Sequence, residues 1–238
     1  MYKFSEYDKK EALGIVEYLM SNGFYDALGF ESNHWGYKSS CLEDWREENM
    51  ELLEDYGVTI TRGETKICII PDDTDYVIKV GLLLELKGGY RKGDDYCAIE
   101  YNNYKKACEL GIEKYFASMC YLGVVNDISF YLQEKVRIDE DRTSDNFYSY
   151  SQRTYYNDVE VPDEDEDPNG YDEYWDNIYS TGDELDDEER IYAMIDDDRD
   201  AIKVSHFCMD NEINDLHGGN WGYVDNWGQA VLIDYSGF

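Results

Sequence analysis

The stretch that decides the fold runs from Ile213 to Phe238. It reads Ile-Asn-Asp-Leu-His-Gly-Gly-Asn-Trp-Gly-Tyr (213–223), then Val-Asp-Asn-Trp-Gly-Gln-Ala-Val-Leu-Ile-Asp-Tyr-Ser-Gly-Phe (224–238). Two short apolar runs, Tyr223-Val224 and Ala230-Val231-Leu232-Ile233, are strand-like, and Asp225-Asn226-Trp227-Gly228 between them has turn chemistry. This pattern predicts a small hairpin. Asp215 and Asn220 lie just before it, and Asp234 lies just after. Two acids and an amide gathered this way can hold a hydrated divalent cation against phosphate oxygens, with one acid free to accept a proton.

Asp215-Leu216-His217-Gly218-Gly219-Asn220, a step of five from acid to amide, resembles the catalytic loop of the protein-kinase-like superfamily. It is most similar to the version found in aminoglycoside-phosphotransferase-like and other atypical kinases. Asp234-Tyr235-Ser236-Gly237 stands where those enzymes carry Asp-Phe-Gly. Ile213-Asn214 replaces the usual His-Arg or His-Gly, and the kinase pattern is expected to be truncated after Gly237. The resemblance implies ATP and Mg²⁺ as cofactors, bound between two lobes. Asp215 would orient or deprotonate the acceptor hydroxyl, Asn220 and Asp234 would ligate metal, and His217 would brace the loop.

Working outward, residues 57–80 read as three strands: Val58–Thr61, Thr65–Ile70 and Tyr76–Val80, with a turn at Pro71-Asp72-Asp73-Thr74-Asp75. Val77-Ile78-Lys79 resembles the third strand of a kinase small lobe, whose lysine bridges the nucleotide phosphates and a helix carboxylate. Taken alone, Lys79 would read as a snorkelling surface lysine. A lysine held inside an apolar strand must instead pair, because an unpaired buried ammonium is costly. A helix predicted from about Asp95 to Leu110, stopped by Gly111, carries Glu100, 21 residues beyond Lys79 and the expected partner. Ile99, Tyr104 and Ala107 supply its inward face. Gly63 stands where the first hairpin would cover the phosphates, although that turn lacks the several glycines such a loop normally uses. Residues 81–95 read as a link. Strands at 115–125 and 128–136, joined at Asn126-Asp127, complete a five-stranded lobe, with Gln133, Glu134 and Lys135 as the hinge that would meet the adenine edge.

The ends of the chain differ in character. Residues 1–55 read as helical, with Ser5 as a cap and Leu13, Val16, Tyr18, Leu19 and Met20 on a helical stripe. A loop follows at Phe24–Tyr37, in which His34 and Trp35 could touch a ligand or pack, and then a second helix begins after Ser40. Between Tyr155 and Asp200 there are 20 acidic residues against two basic ones, Arg190 and Arg199. Val161–Gly170 is expected to be a mobile acidic loop. The interleaved Tyr171, Tyr174, Trp175, Tyr179 and Tyr192 would either anchor short helices or present a docking surface. Residues 190–212 read as one helix leading into the catalytic loop, with His206 as a structural histidine.

The formal net charge is −33, which argues against direct binding to nucleic acid or to an anionic membrane surface. It suits a protein partner with a basic surface. Six cysteines without a Cys-x-x-Cys pair read as reduced thiols, and no apolar run approaches a membrane span, so the expected location is cytoplasmic.

The expected fold is therefore α+β: a two-lobed protein-kinase-like fold with a five-stranded antiparallel sheet plus helix, a reduced helical second lobe and an N-terminal helical extension. The boundaries drawn are 1–56 for the extension, 57–137 for the small lobe, 138–200 for an acidic, partly mobile insertion and 201–238 for the reduced large lobe. Two functions stay open. One is an atypical kinase that binds ATP and Mg²⁺ and transfers phosphate to a protein or small-molecule hydroxyl. The other is a non-catalytic, pseudokinase-like acidic protein, for instance a phage-encoded inhibitor in the host cytoplasm that mimics nucleic acid or occupies a basic site on a host protein.

Overall fold

Ser5 starts the first helix: its hydroxyl accepts from the Asp8 amide, and Asp8 accepts in return from the Ser5 amide. The computed structural model describes residues 2–33, 36–38, 40–63, 65–86, 89–92, 95–214, 216–224 and 228–236, the side chains of 30–41 and 84–94 excepted. The fold is mixed α+β, and the chain divides into two compact units. One comprises Met1–Cys108 and Ala117–Lys135, the other Glu109–Phe116 and Val136–Phe238.

The first unit runs α1 (Glu6–Ser21), α2 (Phe24–Ala27), β1 (Gly29–Asn33), β2 (Gly36–Lys38), α3 (Ser40–Glu48), α4 (Met50–Tyr56), β3 (Val58–Arg62), β4 (Lys66–Pro71), β5 (Tyr76–Gly81), β6 (Leu83–Leu86), β7 (Gly89–Lys92), α5 (Tyr96–Leu110), β8 (Met119–Val125) and β9 (Ile128–Glu134). Its centre is a five-stranded antiparallel sheet in the order β3-β4-β5-β9-β8. The β8–β9 turn has Asn126 and Asp127 both at positive φ, the backbone that a two-residue hairpin requires and that these two residues tolerate.

The two sheet faces differ, and period-2 alternation makes them so. The pairs Ile67↔Val80, Ile69↔Ile78, Ile78↔Leu132 and Val80↔Phe130 stack apolar side chains on one face. These join Ala12, Val16 and Leu19 of α1 and Phe24 of α2 in one core. Each such aliphatic side chain contributes about 1.5–3 kcal/mol when fully buried. At the edge of that face the Tyr76 hydroxyl donates to Glu11 at 2.9 Å. The opposite face carries Cys68, Lys79 and Tyr131 in register, with Lys66 two residues from Cys68.

Two expectations for this unit are corrected. Residues 81–95, read as a link, contain β6 and β7; residues 24–37, read as a loop, contain α2, β1 and the start of β2. Together β1, β2, β6 and β7 form a second sheet in the order β2-β1-β6-β7, with β1 and β6 parallel. His34 and Trp35 lie outside the described residues.

The second unit contains α6 (Glu140–Tyr155), α7 (Pro168–Asp183), α8 (Asp187–Met194), α9 (Asp198–Asp210), β10 (Trp221–Tyr223) and β11 (Ala230–Leu232). The stretch richest in acid thus folds into helices, and much of its acid sits at helix starts. Asp139, Asp167, Asp186 and Asp197 cap α6, α7, α8 and α9 with their side chains, and Pro168 occupies the first turn of α7. An Asp cap contributes about 0.5–2 kcal/mol, and first-turn carboxylates such as Glu140, Asp141 and Glu188 favour the positive end of the helix dipole. Within the acidic loop, Asp163 accepts from the amides of Asp165 and Glu166, making a turn that delivers Asp167 to its capping position. The single helix expected over 190–212 is two, α8 and α9. Asp197 caps α9 by accepting from the amides of Arg199 and Asp200, so the chain breaks between Ile195 and Asp197.

Aromatic side chains hold α6 to α7: Tyr148 packs edge-on against Tyr179, and Tyr156 against Tyr174. Among the described residues no helix is long and apolar enough to cross a membrane.

Candidate functional site

The first cluster is built on β4, β5 and α5. The Asp95 side chain accepts from the Ala98 amide and starts α5, and Gly111 at φ +70° ends it. Cys97, Glu100, Tyr104 and Ala107 follow helical spacing and are buried. This brings Glu100 to the polar face of the sheet, where two ammonium groups meet it. Lys79 Nζ lies 3.3 Å from Glu100 Oε1 and 3.2 Å from Oε2. Lys66 Nζ lies 2.8 Å from Oε1. Glu100 is 0% exposed, Lys66 4% and Lys79 5%, so all three charges are withdrawn from water.

Sequence reasoning paired Lys79 with Glu100 and missed Lys66. Its signal was nonetheless present. In antiparallel pairing Cys68 faces Lys79, so period 2 puts Lys66 on the same face, opposite Gly81, which has no side chain to block it. The surroundings are dry and carry charge. Burial holds the Cys97 thiol well above its ordinary range; Glu100 and Asp95 push the same way, while Lys66 and Lys79 oppose. The thiol is therefore protonated and unreactive at neutral pH. Tyr131, opposite Lys79, donates to Asp95 at 3.3 Å, and burial raises its phenol above the usual range, with the Asp95 charge adding to the effect.

The other residues expected around a nucleotide are also placed in the first unit. The Gly63 amide donates to the Lys66 carbonyl at 2.9 Å and closes the β3–β4 hairpin. Gln133 and Glu134 end β9 and are buried. The Glu134 amide donates to the Ser118 carbonyl at 2.8 Å, and its carboxylate accepts from the Ser118 amide. The Lys135 amide donates to the Asp75 carbonyl at 2.8 Å, and its ammonium to the Pro71 carbonyl at 3.0 Å. The amide protons of Glu134 and Lys135 are thus committed within the unit.

The second cluster is the base of the β10–β11 hairpin. The register Trp221↔Leu232 and the bond from the Ile233 amide to the Asn220 carbonyl, at 3.0 Å, bring Asn220 and Asp234 to the same end. Ser236 donates to Asp234 Oδ1 at 3.0 Å. Tyr235, fully buried, packs edge-on against Phe116. The hairpin is tied to α6 through Tyr223, whose ring lies under Arg142 at 3.9 Å and whose hydroxyl meets Thr143 at 3.2 Å. Gly222 is required here, because a Cβ would run into the Val136 side chain. Asp215 lies outside the described residues. Its neighbours are fixed: the Leu216 amide donates to Asp187 at 2.8 Å, and His217 Nδ1 accepts from the Gly219 amide at 3.0 Å.

Among the described residues no group of three or more His, Cys, Asp or Glu side chains is placed to hold a metal ion. Asn220 and Asp234 bring an amide oxygen and a carboxylate to one hairpin base. Hard oxygen donors of this kind suit Mg²⁺, which keeps most of its waters and takes one or two protein ligands beside phosphate oxygens.

The second unit also carries an open cavity of about 630 Å³ lined by Asp186, Asp187, Glu188, Glu212, Asn214 and Ser205, with Ile191, Cys208, Met209 and Ile213 as its apolar part. Four carboxylates disfavour phosphate there and favour a cation. No protein-family model matches the chain, and neither a curated protein nor a solved structure is significantly similar to it.

Proposed function

We propose that the chain is an atypical kinase-like protein that binds ATP with Mg²⁺ and transfers phosphate to a protein or small-molecule hydroxyl, within a two-lobed kinase-like arrangement. The observation that carries this reading is the buried Lys79–Glu100 pair between the third strand of a five-stranded antiparallel sheet and α5. Its order along the chain matches the motifs that follow: strand lysine, helix glutamate, Asp215-to-Asn220 loop, hairpin, Asp234.

In this reading Lys79 contacts the phosphates and is held in place by Glu100. Asn220 and Asp234 take Mg²⁺, which when bound neutralises charge developing on the phosphate oxygens. Asp215 orients the acceptor hydroxyl and receives its proton. Positioning and charge neutralisation carry most of phosphoryl transfer, so rigid placement of these side chains is the protein's main contribution. The adenine edge is met by groups other than the amide protons of Glu134 and Lys135, because those are already donated within the unit.

The test is transfer of labelled phosphate from ATP in the presence of Mg²⁺ and a cell lysate as acceptor. The expected result is labelled acceptor, with Asp215→Ala lowering the rate by at least ~10²-fold. Absence of any transfer together with absence of ATP binding sinks this reading.

A second reading is favoured by a separate observation, the four-carboxylate cavity on a chain of net charge −33. Here the protein is a non-catalytic acidic binder of a partner with a basic surface. Salt-sensitive capture of a DNA- or RNA-binding protein, unchanged by Asp234→Ala, would support it over the enzyme.

A further inference from the structure

Glu100 is bonded by two ammonium groups, and the closer one belongs to Lys66. Its 2.8 Å contact to Oε1 has the length of a strong charge-assisted hydrogen bond. Lys79 is spread over both oxygens at 3.2 and 3.3 Å. A carboxylate with no exposure cannot be left without a cation at small cost. If Lys79 were its only partner, every movement of Lys79 toward a phosphate would uncover that charge. Lys66 removes the conflict. It approaches from a different strand, β4, on the same face, opposite Gly81.

We propose that Lys66 is a positioning residue for nucleotide binding. It keeps Glu100 neutralised and α5 seated while Lys79 turns to the phosphates. This rests on the nucleotide reading above, and it goes further by assigning the two lysines different tasks. Lys66 acts through Glu100 and does not touch the nucleotide. With Lys66 absent, Lys79 carries more of the neutralisation of Glu100 and is less available to ATP.

The experiment measures MgATP affinity of the full chain by calorimetry for wild type, Lys66→Met, Lys66→Arg, Glu100→Gln and the Lys66→Met/Glu100→Gln double variant. Lys66→Met is expected to weaken binding by about 10-fold or more, equivalent to at least about 1.4 kcal/mol, and Lys66→Arg to restore it to within about 3-fold. In the Glu100→Gln background, where Glu100 no longer competes for Lys79, removing Lys66 is expected to change affinity by no more than about 2-fold.

The proposal is overturned if Lys66→Met binds like wild type, or if it weakens binding equally in both backgrounds, which would place Lys66 on the nucleotide itself. Should Lys66→Met alone fail to fold, the comparison of Glu100→Gln with the double variant decides. Equal affinities support the proposal, and a further loss of about 10-fold overturns it. Any of these failures leaves the nucleotide reading intact, whereas a wild-type protein that does not bind MgATP removes both.

Discussion

Glu100→Ala is the substitution with the largest consequence for stability. The glutamate is fully buried and neutralises two ammonium groups that are themselves 4% and 5% exposed. Removing one partner of a buried ion pair costs about 3–5 kcal/mol, because the remaining charge is stranded in a low-dielectric site. Here two cations lose a shared carboxylate, which puts the loss near the upper end, about 5 kcal/mol. For a chain of this size each kcal/mol moves the unfolding midpoint by about 2–4 °C, so the expected shift is about 10–20 °C. Thermal unfolding followed by circular dichroism measures the shift. Hydrogen exchange at the β4 and β5 amides assigns it to the unit that contains the cluster. Replacing all three charges by apolar side chains should recover most of the loss, because no buried charge then remains uncompensated. A Glu100→Ala loss below about 1 kcal/mol, the range of solvent-exposed pairs, would refute the argument that these three charges form one buried network.

Further outcomes follow from other parts of the structure. Asp200 accepts from Lys114 at 2.8 Å, Lys203 at 2.9 Å and the Tyr115 hydroxyl at 2.8 Å, and these bonds, Lys114 first, hold its carboxyl well below the usual range. A depressed folded-state value means that its contribution is present above the unfolded value of about 4 and is lost as pH falls below it. Asp200→Asn should therefore lower the melting temperature at neutral pH and low salt, with the difference shrinking under acid or about 1 M salt; a difference that grows on acidification contradicts this. Gly222→Ala drives a methyl group into Val136 and to 3.2 Å from Ile233, and should destabilise by about 1–3 kcal/mol in urea unfolding. Tyr76 is 1% exposed, and burial and its bond to Glu11 keep the phenol protonated. Tyr76→Phe should lose about 1.5–3 kcal/mol, the range for a hydrogen bond to a charged group, with the far-UV spectrum unchanged.

Much of the fold was legible because its signals are local. Alternating β-branched residues bounded by Pro71-Asp72-Asp73 and Asn126-Asp127 mark four of the five sheet strands with their turns, and Gly111 marks the end of α5. The β10–β11 hairpin was readable from its two apolar runs and turn. What escaped depends on partners distant in sequence. β6 is paired on one side by β1, more than fifty residues earlier, and nothing in Leu83-Leu84-Glu85-Leu86 announces that neighbour. Lys66 follows a turn and looks like a solvated strand end; its burial comes from the β4–β5 register and from α5, not from its own surroundings. The break between α8 and α9 was hidden for a different reason. Asp196-Asp197-Asp198 reads as part of a long acidic run, and only the folded chain distinguishes the residue that caps a helix from those that merely carry charge.

The candidate site was legible to the same degree. Lys79 and Glu100 meet, and Asn220 and Asp234 share one hairpin base; all four were singled out by their resemblance to kinase motifs, with their spacing in support. The hydrogen bonding of Glu134 and Lys135, expected at the adenine edge, was not readable from their sequence. Whether a backbone amide is offered outward or donated inward is decided by neighbours such as Ser118 and Asp75, which no motif records.

Nucleotide-dependent stabilisation is the most direct test of the proposed MgATP binding. At about 100 times its dissociation constant a ligand adds about 2.7 kcal/mol, which for a chain of this size raises the melting temperature by about 5–11 °C. A rise of that size with MgATP is expected, saturable and absent in Lys79→Met and Asp234→Asn. No rise at any MgATP concentration, or an undiminished rise in both variants, would contradict it.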